Sequence, residues 1–142
     1  MNHLSNSDQE STLVIIKPEA VKSGKISSII ARYEANRFSI LRMKMVRMNQ
    51  RKAESFYEIH KDRPFFTELV NYMISGPVLI MVVNKKNAVA DNRLLIGATD
   101  PQLAAPGTIR AELGVDISNN AVHGSDSLET ARNEIDFWNE IW

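Results

Sequence analysis

The residues best suited to chemistry lie near the C-terminal end, where a short apolar run leads one histidine into a bend of small polar residues. Residues 120–127 read NAVHGSDS. Gly124 allows the backbone to turn where a Cβ would clash, and Asp126 with Glu129 forms a capping-box pattern for a following helix. The pattern predicts the imidazole of His123 at a strand end beside a helix N-terminus, where backbone N–H groups favour anions. A neutral imidazole is a nucleophile near pH 7, since its reference pKa is about 6.5.

Three cations are predicted at strand or loop ends, where they could hold the oxygens of a phosphoryl group. They are Lys17, which follows the first apolar run and precedes Pro18, Arg93 and Arg110. A histidine nucleophile could transfer phosphoryl groups, because catalysis of that reaction is mainly positioning and charge stabilisation. Arginine suits bidentate contacts to phosphate. Taken one at a time, each cation is more simply interpreted as a surface residue.

A nucleophilic histidine also needs its other ring nitrogen held in place. Glu134 lies about two turns into the predicted last helix, and helical side chains lean toward the helix N-terminus. We therefore expect Glu134 to reach the ring of His123. Considered alone, Glu134 would be explained as a solvated partner of a nearby cation.

Length, charge and the lack of cysteine exclude several classes of protein. The chain has 142 residues, 17 basic and 17 acidic, and no cysteine. Residues 1–10 are expected to form a loose tail without the apolar core of a signal peptide, and residues 11–142 a single domain. The zero formal charge gives no basic surface for nonspecific nucleic-acid binding. The absence of cysteine excludes disulfides, thiol nucleophiles and cysteine zinc sites, and it fits a cytoplasmic location. No apolar run approaches the roughly 20 residues of a membrane span.

Apolar periodicity predicts the order of strands and helices. Strands are expected over residues 12–16, 38–48, 78–83 and 121–123, and helices over 26–33, 53–60, 64–73, 88–96 and 108–113 and from 128 toward the C-terminus. Without the helix pair inserted before the third strand, this order is βαββαβ. It predicts a ferredoxin-like fold, an antiparallel four-stranded sheet with helices on one face. The same alternation fits a parallel sheet, which periodicity cannot separate from the first.

Several local features carry further expectations. The phase of the second strand slips between Ile40 and Leu41 and again at Val46, which predicts a bulge or a change of burial, and its methionines are expected to fill the core. Asn87 is expected to cap the helix that follows it, and Pro64 to lie near the first helical position. The turn-rich segment 98–120 is long for a compact domain and is therefore expected to be functional or disordered.

These segments together resemble one enzyme family. NAVHGSDS resembles the NxxHGSDS signature of nucleoside diphosphate kinases, and VIIKPEAV at 14–21 is similar to the first-strand motif of that family. Tyr57, DRPFF at 62–66, SGP at 75–77, residues 93–99 and PGTIR at 106–110 match in order and approximate spacing. The resemblance covers nearly the whole chain after the tail. Glu19-Ala20 and Asn84-Lys85-Lys86 depart from the common pattern, which affects local turn geometry and removes no catalytic candidate.

The resemblance implies a ping-pong enzyme that maintains nucleoside triphosphate pools. The γ-phosphoryl group of a triphosphate, typically ATP, would pass to Nδ1 of His123 and then to a nucleoside diphosphate. Glu134, directly or with Ser125, would orient the ring. Phosphates would contact Lys17, Arg93, Thr99 and Arg110, with Tyr57 beside the reacting group, while Asn120 and Lys17 would meet the sugar hydroxyls. Phe65 would stack on the base, with Leu69 and Ile117 lining that slot, so that any base is tolerated.

The resemblance also implies a cofactor and an assembly. Mg²⁺ would be carried by the nucleotide phosphates without dedicated protein ligands. The chain would form a homo-oligomer, a tetramer or a hexamer built from dimers. The alternative function is a catalytically weak nucleotide-binding or interaction module of the same fold, against which the intact His123 and its surrounding residues argue.

Overall fold

A computed structural model describes residues 9–142, which form an antiparallel sheet of four strands. The strands are β1 (Gln9–Ile16), β2 (Ser39–Val46), β3 (Val78–Lys86) and β4 (Val122–Gly124), in the spatial order β2-β3-β1-β4. All three pairings are antiparallel. The ferredoxin-like expectation is confirmed, and the parallel-sheet alternative is wrong.

Seven α-helices in the described residues surround the sheet. They are α1 (Pro18–Lys22), α2 (Ile26–Ala35), α3 (Gln50–Phe56), α4 (Phe66–Met73), α5 (Ala88–Ile96), α6 (Ile109–Leu113) and α7 (Leu128–Phe137). Short 3₁₀ turns cover Glu58–His60 and Asn139–Ile141. The helices α3 and α4 with their connection, residues 50–73, form the inserted helix hairpin. No helix within residues 9–142 has the length and apolar character needed to cross a membrane.

Helices cover both faces of the sheet, so the expectation of one covered face is wrong. Along β1, Val14 and Ile16 join a cluster with residues of α2, α5 and α6, whereas Leu13 and Ile15 join a second cluster with residues of the hairpin and α7. The strand β3 alternates in the same way. Both strands are continuous apolar runs, and such runs are typical of strands buried on both sides.

The strand β2 lies at the edge of the sheet, and the expectation that its methionines fill the core is wrong for Met43 and Met45. It holds for Met48, which follows the strand and is buried in the second core cluster. Met43 is 54% exposed and Met45 47% exposed. The pairing register shifts between Ile40 and Arg42, which confirms the predicted bulge at that position. At Val46 the ladder continues regularly to Val78, so the second slip is not a bulge. The alternating pattern of β2 is that of a half-buried strand, and position at the edge leaves its apolar side chains without a covering helix.

The beginning of the chain and one helix start differ from the sequence expectations. Gln9 and Glu10, which were expected in the tail, belong to β1 and pair with Lys86 and Lys85 of β3. The rest of the expected tail, residues 1–8, lies outside the described residues. The helix α4 begins at Phe66, after turns that contain Pro64.

Two helix caps also differ. Ser127, rather than Asp126, caps α7 by accepting the N–H of Thr130 at 3.0 Å. Asn87 precedes α5 in a left-handed conformation, with φ of 58°, and its side chain makes no cap hydrogen bond. Instead, Oε1 of Glu10 accepts the N–H of Val89 at 3.3 Å. A capping side chain from a strand distant in sequence leaves no local signal. The sequence pattern therefore predicts Asn87, the nearest residue of a type that caps helices.

Gly124 is required by close packing against α5. A Cβ on this residue would lie 2.6 Å from Cδ1 of Ile96 and 2.7 Å from Nδ2 of Asn92. Both neighbours are held firmly, because Ile96 belongs to the core and Oδ1 of Asn92 accepts a hydrogen bond from the Tyr33 hydroxyl at 2.6 Å. The β4 backbone beside His123 therefore sits at a distance from α5 that only glycine permits.

We expect Gly124→Ala to lower the free energy of unfolding by about 1–3 kcal/mol, because the added methyl overpacks a closed contact. Urea denaturation of both proteins would measure the change. Gly76→Ala is the matched control, since its Cβ would meet Pro18 at an ordinary 3.7 Å. Equal losses in the two variants would contradict the packing explanation.

Candidate active site

The carboxylate of Glu134 holds the ring of His123 at Nε2, and the other ring nitrogen, Nδ1, stays unpaired among the described residues. Nε2 lies 2.9 Å from Oε1 of Glu134, and the buried Ser125 hydroxyl donates to the same oxygen at 2.7 Å. A carboxylate facing Nε2 places the proton of a neutral ring on that nitrogen, so Nδ1 keeps its lone pair. Nδ1 makes no hydrogen bond within residues 9–142, and the side chain is 18% exposed. The ring is thus oriented and reachable.

Two aromatic rings from the helix hairpin border the imidazole. The ring centroids of Phe56 and Tyr57 lie 5.3 Å and 5.9 Å from that of His123, both in edge-on arrangements. The buried hydroxyl of Tyr57 has no hydrogen-bond partner among the described residues. Burial first, and then the charge of Glu134, raise the pKa of Tyr57 well above its usual range, so this hydroxyl is a donor at any physiological pH.

The segment entering β4 is strained. Ala121 has φ of 77°, and the N–H of Val122 donates to the carbonyl of Asn120 at 2.9 Å. An i→i+2 hydrogen bond around a residue of positive φ is the pattern of a rare, strained γ-turn. The carbonyl of Ala121 accepts the N–H of Lys17 at 2.9 Å, which ties the turn to the end of β1. Such strain persists only where surrounding contacts enforce it, and it clusters at functional sites.

Lys17 is a buried cation fixed by Asn120. Its Nζ donates to Oδ1 of Asn120 at 2.8 Å, and Nδ2 of Asn120 donates to the carbonyls of Thr99 and Ile117 at 3.0 and 3.2 Å. Burial first, and then the positive charge of Arg110, lower the pKa of Lys17 from 10.5 to about 7. Asn120 therefore joins the β1 end to both ends of the long loop.

Arg110 is a half-buried cation, and Arg93 stands close enough to repel it. Its guanidinium donates to the carbonyls of Gly97 at 3.1 Å and Val122 at 2.9 Å. The pKa of Arg110 is lowered to about 10, chiefly by burial; Tyr33 acts against this lowering and Arg93 adds to it. Its buried Nε has no partner among the described residues. Cations that depress one another's pKa form a site suited to an anion.

A cleft of about 490 Å³, called here the His123 cleft, opens beside these groups. It is lined by residues that include Arg93, Gly97, Thr99, Arg110, Gly124 and Asp126. His123, Lys17 and Asn120 are not among its lining residues. His123 adjoins the cleft through Gly124, and Asn120 connects Lys17 to Thr99 through the hydrogen bonds above. Two of the cations also bind the backbone just before His123, since Arg110 donates to the carbonyl of Val122 and the N–H of Lys17 to that of Ala121.

The three apolar candidates lie at the hairpin and the long loop. Phe65 is 45% exposed and packs against the rings of His60 and, more loosely, the guanidinium of Arg63. Leu69 packs on the second core cluster, and Ile117 is exposed. A hydrogen bond of 3.2 Å from Ser118 to Glu68, the neighbours of Ile117 and Leu69, joins the loop to the hairpin. Among the described ring pairs, Phe65 does not contact the imidazole of His123.

Comparison with known proteins decides the family. The family profile described as "Nucleoside diphosphate kinase" matches residues 10–140. The chain belongs to the nucleoside diphosphate kinase family. The nucleoside diphosphate kinase of Helicobacter pylori (strain Shi470) is 53% identical over 130 residues, which cover 92% of this chain and 95% of the relative. That of Chlamydia abortus is 57% identical over 129 residues, covering 91% and 92%.

Solved structures of the nucleoside diphosphate kinase family share the fold. The Aquifex aeolicus enzyme superposes with a TM-score of 0.89 at 44% identity, covering 91% of this chain and 94% of that one. The enzyme of Encephalitozoon cuniculi in its apo cubic form gives a TM-score of 0.88 at 43% identity, with coverages of 91% and 88%.

Four residues of this kinase site escaped the sequence reasoning. Asp126 lines the His123 cleft rather than capping α7. Phe56 touches the imidazole, although nothing in the sequence separates it from the other apolar residues of the hairpin, and Ala121 carries no compositional signal for a positive φ. Asn92 is one of the polar residues of the predicted helix 88–96. Its position directly before Arg93 was the one available hint that this turn of α5 faces β4.

The burial of Lys17 predicts a pH-dependent difference in stability between the wild type and Lys17→Met. The pKa of Lys17 is about 7 in the folded chain and near 10.5 when unfolded, so the unfolded chain binds the extra proton between these values. The destabilisation from Lys17 is therefore constant below pH 7 and is relieved as the pH rises toward 10. We expect the wild type to gain up to about 1.4 kcal/mol per pH unit relative to Lys17→Met.

Chemical denaturation at pH 6, 7.5, 8.5 and 9.5 would measure this difference. Lys22→Met, at an exposed lysine of α1, is the control and should run parallel to the wild type. A wild-type curve parallel to that of Lys17→Met between pH 7.5 and 9.5 would contradict the burial of a depressed amine.

Proposed function

We propose that His123 is the phosphoryl carrier of the nucleoside diphosphate kinase reaction in this chain. The activity itself, exchange of a phosphoryl group between nucleoside triphosphates and diphosphates, follows from membership of the family over residues 10–140. The observation that carries the assignment is the Glu134–His123 pair, 2.9 Å between Oε1 and Nε2, which leaves Nδ1 as the nucleophilic nitrogen beside a cationic cleft.

The reaction proceeds in two half-reactions through one covalent intermediate. In the first, the Nδ1 lone pair attacks the γ-phosphorus, the Nδ1–P bond forms, and the bond from that phosphorus to the β–γ bridging oxygen breaks. The diphosphate leaves with the electron pair. In the second, a terminal β-phosphate oxygen of another diphosphate attacks the phosphohistidine, and the N–P bond breaks. The Nε2 proton stays on the ring, held by Glu134, which stabilises the cationic imidazolium character that develops.

The surrounding groups are proposed to position the nucleotide. Arg93, Arg110 and Thr99 hold phosphate oxygens, supported by their shared lining of the His123 cleft. The Lys17–Asn120 pair meets the sugar hydroxyls and phosphate, and the unpartnered Tyr57 hydroxyl donates to the transferring group. An anionic phosphate reduces the repulsion among the three cations. This relief adds to the favourable free energy of nucleotide binding.

The base is proposed to stack on the exposed ring of Phe65, with Leu69 and Ile117 as apolar neighbours. Support comes from the Ser118–Glu68 hydrogen bond, which joins the segments that carry Ile117 and Leu69. Stacking reads the π-face that every base has, so broad base tolerance is expected.

Mg²⁺ is proposed to enter on the nucleotide phosphates. Within residues 9–142 no group of three or more His, Asp or Glu side chains converges in a way that could hold a metal ion, and Asp126 is the one carboxylate lining the His123 cleft. Mg²⁺ favours phosphate oxygens and water. When bound there, it would neutralise part of the phosphate charge during transfer.

A homo-oligomer built from dimers, as a tetramer or hexamer, is part of the proposal, together with a cytoplasmic location where the nucleotide substrates are. Leu41, Met43 and Met45 give β2 an exposed apolar row. Met43 and Met45 lie opposite Met81 and Leu79, so the row continues the apolar face that α2 and α5 cover. A second copy aligned along the edge of β2 would cover it.

Incubation with ATP labelled at the γ-phosphate tests the carrier. We expect acid-labile, base-stable labelling of the protein, subsequent transfer to GDP, and loss of both in His123→Ala, because no other group supplies the nucleophile. Labelling that survives in folded His123→Ala would remove His123 from this role.

Glu134→Ala extends the same test to the positioning of the ring. We expect a loss of about 10–100-fold in kcat with little change in KM, since the anchored ring acts in the transition state and not in nucleotide binding. Glu134→Gln is the matched control, because the amide oxygen can still accept from Nε2–H, and it should recover part of the rate. A rise in KM alone would contradict this role.

Light scattering on a sizing column tests the assembly. We expect the wild type at a mass of four or six times 16.0 kDa and Met43→Lys at a smaller mass, because a charge on the apolar row opposes its burial. Ile59→Lys, at an 82% exposed hairpin residue, should keep the wild-type mass. A monomeric wild type would contradict the proposal.

A further inference from the structure

A second cleft lies away from the His123 cleft, between the end of β2, the start of α3 and the C-terminal turn. Its volume is about 400 Å³, and it shares no lining residue with the His123 cleft. We call it the C-terminal cleft. Its lining includes the apolar residues Val46, Phe137 and Ile141 and the cations Arg47, Arg51 and Lys52. Its volume lies in the range of small-molecule sites.

The three cations that line the C-terminal cleft belong to the most one-sided charge run in a chain of zero net charge. Between Glu34 and Glu54 the sequence has six basic residues and no acidic one. Lys52 is engaged, since it pairs with Glu140 and stacks over Phe137 at 5.0 Å. Arg47 and Arg51 are exposed and have no ion-pair partner among residues 9–142. Two exposed guanidinium groups without an ion-pair partner among the described residues therefore line the C-terminal cleft.

We infer that the C-terminal cleft binds a phosphate monoester with an apolar body. The two arginines match a dianionic phosphate in charge and in fork geometry. Val46, Phe137 and Ile141 accommodate the apolar body. Inorganic phosphate has no apolar body and would contact only the two arginines. A neutral aromatic alcohol has no phosphate charge and would contact only the apolar lining residues. The inference does not depend on the proposed role of His123.

Phenyl phosphate is a suitable probe, and tryptophan emission a suitable signal, because Trp138 lines the cleft and Trp142, the chain's other tryptophan, stacks with Arg42 beside it. The titration is done on the full chain with saturating Mg–ADP, which keeps the probe from the nucleotide site. We expect a saturable change in emission. Inorganic phosphate and benzyl alcohol should each bind at least about tenfold more weakly.

The double variant Arg47→Ala/Arg51→Ala should weaken phenyl phosphate at least about tenfold, because charge-assisted hydrogen bonds are lost. Lys22→Ala/Arg132→Ala removes the same charge from other exposed positions and should bind as the wild type does. Circular dichroism and urea denaturation of each variant confirm folding without reference to His123, which separates this test from that of the phosphoryl carrier. Absence of saturable binding, equal affinity for inorganic phosphate, or undiminished affinity in Arg47→Ala/Arg51→Ala would overturn the inference.

Discussion

The arrangement of the site depends on a single oxygen atom, Oε1 of Glu134. It accepts the Ser125 hydroxyl and faces Nε2 of His123, and so fixes both the rotation and the tautomer of the ring. This oxygen reaches β4 because α7 begins at Ser127, directly after the strand, and packs through Ala131 and Trp138 onto the core. Moving the helix start by one residue would turn the carboxylate about 100° away from the ring.

Elsewhere in the site, burial acts against the charges of two cations, and repulsion between cations adds to this effect. Lys17 and Arg110 are largely removed from water, and each loses proton affinity through burial before any neighbouring charge is considered. The backbone contributes to holding them, because Arg110 is bound by two carbonyls and Lys17 by Asn120 at a strained turn. The fold thus keeps in place an arrangement that is unfavourable without an anion. Such preorganisation is what phosphoryl transfer requires, since the donors need no rearrangement as charge develops.

Much of this could be predicted from sequence, because the relevant signals are local. Continuous apolar runs identified β1 and β3, and helical spacing placed Glu134 near the ring. Other features depend on partners distant in sequence. Alternation in β2 is the same whether a helix or nothing covers Met43 and Met45, so the pattern could not reveal an edge strand. Ala121 takes a positive φ that its side chain disfavours, and only the surrounding hydrogen bonds impose it.

The predicted caps failed for a related reason. Asp126 and Ser127 are both good capping residues, and local pattern alone does not decide between them. The choice follows from where β4 ends against α5, at the close contact of Gly124 with Asn92 and Ile96. Asn87 likewise lost its expected capping role to Glu10, a residue on a strand far away in the chain. The removal of Asp126 from the cap is what frees its carboxylate to face the His123 cleft.

The helix hairpin has a mechanical consequence. Its first helix ends in Phe56, whose ring lies against His123 and also 5.6 Å from the ring of Trp138. Its second helix begins directly after Phe65, and the two segments pack on the same core cluster. Phe56 and Phe66, at one end of each helix, therefore rest on one packed unit. Under the roles proposed above, the support for a base stacked on Phe65 and the support for the imidazole are built from the same hairpin.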